Sequence, residues 1–314
     1  MKIKCKVSSI VGLCLFVSLC QSQNIAKVIN FNGVPAISIN DSIIPPFAYA
    51  SYISEGKNYK EISQAGIHLY FFPAYLGDQG INSGSGIGLF RKSIWKDFNQ
   101  YDYSSIKEDF EKIIKEDPNA KIIIRLYLDP PRWWTQKNPD GATQLPNGEI
   151  FRQCFASEKW KQETSKALKD CIGWLKRSIY AKYTVGIHIA AGGTEEWYYH
   201  PVQQRDDMNP LRTIAFRSWL SKKYHGDLSV LQDAWHDKNV TFANAVPTLM
   251  DEKPKQQWLI PSKEQKRMNS YQFHAEILAD DISYFCKVVK DNTNREWLTG
   301  VFYGYNNSIT DPRY

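Results

Sequence analysis

Short strand-like runs alternate with helix-like runs along this 314-residue chain, and that alternation constrains the fold more than any other feature. Apolar residues 46–51 form a first strand, and residues 59–65 a helix that Gly66 ends at a C′ position. Residues 67–72 make a second strand that Pro73 is expected to stop, and a Gly/Ser/aromatic loop then runs to about Tyr103. Ile106, Phe110, Ile113 and Ile114 recur at helical spacing, and a third strand spans 121–128. Its alternation puts Ile122, Ile124, Leu126 and Leu128 on one face and Ile123, Arg125, Tyr127 and Asp129 on the other. A helix bearing Leu168, Cys171, Ile172, Leu175 and Ile179 leads to a fourth strand at 184–190. Helical segments at 216–220 and 228–235 and a polar, proline-containing insertion to about Lys266 follow. A last helix with Leu278, Ile282, Phe285 and Val289 feeds a fifth strand at 297–303.

Strands separated by helices imply βαβ units and a parallel sheet. No glycine-rich dinucleotide fingerprint marks the first strand–helix turn. Polar and aromatic residues instead gather beyond the C-terminal ends of several strands, where barrel active sites are built. The expected class is α/β, a TIM (β/α)8 barrel of which the chain carries the first five or so units.

Hydrophobic residues at 43% supply a core, and a mild charge of +6 without a basic stripe gives nothing for nucleic acid to bind. Lys2, Lys4 and Lys6 precede an apolar run at 7–19 and a polar stretch, so residues 1–23 read as an export signal and 24–314 as barrel. The run is too short for a membrane span. Export would place the protein in the periplasm or outside the cell. Cys20 offers a lipid anchor, against which the bulky Leu19 argues. Beyond the signal, Cys154, Cys171 and Cys286 are scattered singles, giving neither a disulfide framework nor a zinc site. No cofactor is expected.

The sharpest chemical feature is Glu195-Glu196-Trp197-Tyr198, directly after the fourth strand. A carboxyl there can protonate a leaving group, and apolar neighbours such as Trp197 would keep it protonated. The plainer reading is a surface helix start, where carboxylates favour the N-terminus. Asp129-Pro130-Pro131-Arg132-Trp133-Trp134 offers two tryptophans as a sugar platform, or else a rigid loop packed on the rim. Arg125 and Asp129 share the inward parity, as an ion pair or as contacts to substrate hydroxyls. His188 sits mid-strand, as expected of a buried, hydrogen-bonded histidine rather than a ligand, and no nucleophile-elbow serine is present.

The order of these motifs resembles the family 42 type of β-galactosidase and its clan A of retaining (β/α)-barrel glycosidases. The third-strand segment with Asn138-Pro139-Asp140, the Glu196-Trp197 end of the fourth strand, residues 215–226 and Leu231-Gln232-Asp233-Ala234-Trp235 carry the likeness. The resemblance implies a glutamate acid/base after the fourth strand, assigned to Glu196 with Glu195 as fallback. Glu195 then occupies the place of the family's Asn, which puts galactoside specificity in doubt. Arg152 matches the family's substrate-binding arginine, and Arg125, Asp129, Trp133, Trp134, Glu195, Trp197 and Tyr303 complete the expected substrate contacts. The family's zinc cysteines are missing. A retaining enzyme needs a second carboxylate about 5–5.5 Å from the first. The clan takes it from the seventh strand, so the nucleophile is expected beyond Tyr314, with Asp311 a poor local substitute. The 314-residue chain by itself is expected to show no appreciable turnover. The expected partner is an oligo- or polysaccharide with β-linked sugars, the full-length protein forming a homo-oligomer. The competing reading is a non-catalytic carbohydrate-binding or degenerate module.

Overall fold

The computed structural model describes residues 23–51, 58–79, 91–193, 195–198, 206–249 and 259–303. The expected signal with Cys20, part of the polar insertion and Asp311 lie outside these. Strands β1 (Ala26–Phe31), β2 (Val34–Ile39) and β3 (Ser42–Ile44) form an antiparallel meander ahead of the first expected strand. Then come β4 (Tyr49–Ala50), helix α1 (Tyr59–Gln64) and β5 (Leu69–Tyr75). A small hairpin, β6 (Trp95–Asp97) with β7 (Gln100–Tyr101), precedes α2 (Ser104–Glu116) and β8 (Lys121–Tyr127). Helix α3 (Arg132–Lys137) and a second hairpin, β9 (Ala142–Gln144) with β10 (Ile150–Gln153), lead to α4 (Glu158–Arg177) and β11 (Thr184–Ala190). Helices α5 (Pro210–Lys223), α6 (Leu228–Trp235) and α7 (Pro261–Asn292) precede β12 (Leu298–Gly300).

The main sheet is parallel, in the order β12-β11-β8-β5-β4. Chain order and spatial order coincide across these five strands, as they do around part of a barrel wall. The outward residues Ile122, Ile124, Leu126 and Leu128 pack beneath Phe110 and Ile113 of α2, Leu168 and Leu175 of α4, and Phe285 and Val289 of α7. Each such fully buried side chain contributes about 1.5–3 kcal/mol. A second cluster, with Phe216, Leu220, Leu231 and Phe273, joins α5, α6 and α7. Among the described residues no helix is long and apolar enough to cross a membrane.

Three expectations need correction. Pro73 does not stop β5, which runs to Tyr75 with Pro73 in register beside Arg125. Phe71 and Tyr75 aim their carbonyls away from β8, accepting from Ser51 and Ile94. Pro73 shares their parity, so its missing N–H falls on the side where β4 has already ended, and no ladder bond is lost. Helix α4 stops at Arg177, leaving Ile179 64% exposed rather than on the apolar face. The meander was not anticipated. Its Ala26 and Ile39 pack on Leu69, Ile123 and Val185, closing the barrel at the N-terminal ends of its strands. Asn24 ties it there, donating to the carbonyls of Lys182 (2.7 Å) and Thr184 (3.2 Å) and accepting from Lys121 Nζ (3.0 Å).

Candidate active site

The strand register stacks inward side chains in layers. Phe71, Ile123, Gly186 and Leu298 lie lowest, followed by Pro73, Arg125, His188 and Gly300, with Tyr75, Tyr127 and Ala190 at the C-terminal ends. Arg125 is thus placed by β8's alternation in the middle of the barrel, buried beside His188. Its guanidinium lies over the rings of Phe302 (4.3 Å) and Tyr127 (5.5 Å), and Tyr127 packs on Tyr75 at 4.4 Å. His188 sits between Phe302 and Phe71. Burial, and then the charge of Arg125, push its pKa down to about 4, so the imidazole is neutral at pH 7.

Above these layers the chain leaves β11 in a tight turn. Gly192 takes φ +80°, and a Cβ there would stand 2.9 Å from the Tyr198 carbonyl oxygen, so only glycine fits. The Glu195 amide donates to Gly192 O, that of Glu196 to Gly193 O and that of Trp197 to Ala191 O, folding the turn back on its root. The Glu195 carboxyl is 1% exposed, with Oε2 2.9 Å from Arg125 Nη2. Burial raises its pKa to about 8; Arg125 opposes the rise and the Glu196 charge adds to it. Glu196 remains partly exposed.

Asp129 is the second organising residue. Its Oδ1 accepts from the Gly192 amide and from Gln153 Nε2, both at 2.9 Å. Of the two alternatives for Arg125 and Asp129, the ion pair between them does not form: Arg125 pairs with Glu195, and Asp129 accepts hydrogen bonds from the Gly192 amide and Gln153. Arg152 is fully buried next to Gln153, its backbone amide donating to Gln79 Oε1 (3.1 Å), while Gln79 Nε2 donates to Pro130 O (2.7 Å). Burial lowers the Arg152 pKa and the Asp129 charge counters it. Gly77 is obligatory here as well, since a Cβ would lie 2.4 Å from Pro130 O.

Backbone strain concentrates at this cluster. Among the described residues, eleven other than glycine have positive φ. Eight lie in exposed turns, and the three that are buried are Arg152, Glu195 and Trp197. Buried left-handed residues persist only where their surroundings over-determine them, which is the usual condition of a functional site.

Several expected sugar contacts lie elsewhere. Trp134 is a core residue, its indole donating to Glu163 Oε2 (2.5 Å), because α3 turns it inward beneath the loop. Trp197 is also fully buried, donating to Ile189 O (3.2 Å) against Phe155 and Phe285. Neither offers a face to a sugar. Trp133 is partly exposed, edge-on to Trp95 with Lys137 over its ring. Tyr303 is 43% exposed and its hydroxyl reaches Ala275 O on α7, outside the barrel. Its neighbour Phe302 has the inward parity, and strand alternation would have found it. Gln79 and Gln153 carried no sequence signal. Among the described residues no group of three His, Cys, Asp or Glu side chains could hold a metal ion.

This geometry offers a buried carboxyl held protonated at neutral pH, an open carboxyl next to it, and two buried cations below. Of the two carboxyls, only the open one is placed for proton transfer to a substrate oxygen, and the buried one serves the turn. Residues 97–311, more than half of the chain, match the family model of glycoside hydrolase family 42, described as β-galactosidase. Among solved structures, the β-galactosidase from Bacillus circulans sp. alkalophilus is 16% identical over 81% of this chain and 36% of its own, with a TM-score of 0.52. That from the psychrophilic Marinomonas ef1 is 14% identical over 84% and 38%, with a TM-score of 0.54. The catalytic domain of a β-amylase from Paenibacillus polymyxa is 13% identical over 81% and 65%, with a TM-score of 0.55. These likenesses are of fold, a TIM barrel of which the described strands form part. The chain thus spans little more than a third of the length of the two galactosidases. No curated protein matches it. On the match across residues 97–311, the chain belongs to glycoside hydrolase family 42.

Proposed function

We propose that this chain carries the proton-donating part of a retaining glycosidase acting on β-linked sugars, with Glu196 as acid/base. The observation behind the reading is the adjacent carboxyl pair at the C-terminal end of β11, one member sealed against Arg125 and the other open. A general acid must come within hydrogen-bond reach of the leaving oxygen. The closed-off Glu195 cannot do so in this conformation, whereas Glu196 can. Glu195 then anchors the turn and stands where the resemblance calls for an asparagine. Sealed against Arg125, Glu195 does not offer a sugar 2-hydroxyl the contact an asparagine would, which argues for a substrate other than a simple galactoside. The nucleophile of this scheme comes from a strand later in the chain than β12, about 5–5.5 Å from the donor. Export through the segment before residue 24 fits an enzyme that meets its glycosides outside the cytoplasm.

The test is hydrolysis of aryl β-glycosides by the full-length protein. Glu196→Gln should lower turnover by about 10²–10⁴-fold on poor leaving groups and far less on activated ones. An intact rate in Glu196→Gln with loss in Glu195→Gln would transfer the role to Glu195. A sugar-binding module without turnover is disfavoured by the burial of Trp134 and Trp197, two of the rings such a platform would use.

A further inference from the structure

We propose that Asp129 is a positioning residue that holds the carboxylate-bearing turn, residues 191–193 and 195–198, in its working conformation. The inference rests on the assignment of that turn to proton donation, and it adds a residue that touches neither carboxyl. Asp129 ends the inward row of β8, so its carboxylate is delivered to the rim of the barrel by the same alternation that buries Arg125. There one oxygen accepts two hydrogen bonds from different parts of the chain, the Gly192 amide and Gln153 Nε2. Hydrogen bonds donated to a carboxylate are about twice as strong as neutral ones.

The Gly192 bond is made at the root of the turn. The amides of Glu195, Glu196 and Trp197 close the turn onto residues 191–193, while the Trp197 indole donates to Ile189 O and Arg125 holds the Glu195 carboxyl. Asp129 thus fixes the root of the turn at Gly192, the residue whose positive φ turns the chain out of β11 toward Glu195 and Glu196. The Gln153 bond couples the same oxygen to the β9–β10 hairpin, where Arg152 is held left-handed by Gln79. All three buried left-handed residues thus sit within one or two bonds of Asp129 or within the turn it anchors. Strained backbone needs such an external restraint.

Hydrogen exchange and kinetics on the full-length protein separate this role from sugar contact and from plain stability. In Asp129→Ala, exchange in a peptide covering 190–198 should rise more than tenfold while a peptide from α2 stays unchanged. Asp129→Asn, which keeps the acceptor oxygen, should restore most of the protection. On aryl β-glycosides, Asp129→Ala should lower kcat more than tenfold with KM within threefold. Unchanged exchange at 190–198, or an equal rise in α2, would overturn the proposal, as would a raised KM at constant kcat, which would make Asp129 a sugar ligand. If Asp129→Ala does not fold, the Gly192 amide proton decides. It should move upfield in Asp129→Asn more than any other in the turn, and failure to move overturns the idea. A full-length protein that hydrolyses no glycoside would sink the proposed activity, yet the exchange result would still stand for or against Asp129.

Discussion

The two ends of this barrel are built from the same strands and hold together by opposite means. At the N-terminal ends, Leu69, Ile123 and Val185 meet Ala26 and Ile39 of the meander in an apolar cluster, with the hydrogen bonds of Asn24 beside it. Toward the C-terminal ends, two and six residues past Ile123, Arg125 and Asp129 hold buried polar partners, and the backbone around them is strained. The lower end is closed by contacts that tolerate small changes of shape. The upper end depends on particular hydrogen-bond geometry, because a buried charge that loses its partner cannot be compensated by packing. Stability at one face and chemistry at the other is the division of labour expected of a TIM barrel.

The largest test of this contrast is Glu195→Leu. The replacement is similar in size but leaves the Arg125 guanidinium, which cannot deprotonate, without the carboxyl beside it. A loss of about 3 kcal/mol is expected in urea unfolding. Ile39→Ala at the lower end should cost less, about 2 kcal/mol, since the meander can settle into the space. It should also leave exchange at 190–198 untouched. Equal losses from the two variants, or an effect of Ile39→Ala on the turn, would remove the distinction between the ends.

Much of the barrel wall was legible because buried parallel strands and amphipathic helices write their periods into the sequence. The inward row Ile123, Arg125, Tyr127 and Asp129 followed from alternation alone. The meander carries a sequence signal of its own. Asn32-Gly33 lies between apolar runs, and both residues take positive φ, as a two-residue hairpin turn requires. Partners in the site were not legible. Whether Arg125 meets Asp129 or Glu195 depends on where the turn after Ala190 folds back, and that is fixed by Gly192 and Asp129, 63 positions apart. Trp134 and Trp197 look like exposed platforms in sequence, since each adjoins proline or charge. Their burial is decided by α3 and by Phe155, which no local pattern reveals.

The smallest predicted effect asks whether the upper end contains an ion pair or a neutral acid beside a cation. The folded pKa of Glu195 is about 8, against about 4.3 in an unfolded chain. A carboxyl with a raised folded pKa stabilises fully below the unfolded value, and that contribution is lost as pH rises through the folded value. Other buried groups share part of the range. Asp281, raised to about 7 mainly by burial, acts in the same sense, and most of its effect is spent by pH 7. His188, lowered to about 4, acts in the opposite sense and only below its unfolded value of about 6.5. Asp207, raised by burial, acts in the same sense as Glu195, so from pH 7 to 8 it is the difference between the wild type and Glu195→Gln that isolates Glu195. Over that interval the wild-type protein should lose about 1 kcal/mol of unfolding free energy through Glu195, since one pKa unit corresponds to about 1.4 kcal/mol. Glu195→Gln, which cannot ionise, lacks this loss and keeps only the smaller one from Asp281 and Asp207. Parallel slopes in the two proteins would mean that Arg125 already holds Glu195 ionised at pH 7. The polar end would then owe its order to a charge pair, and Glu195 would repel the proton-donating carboxyl beside it.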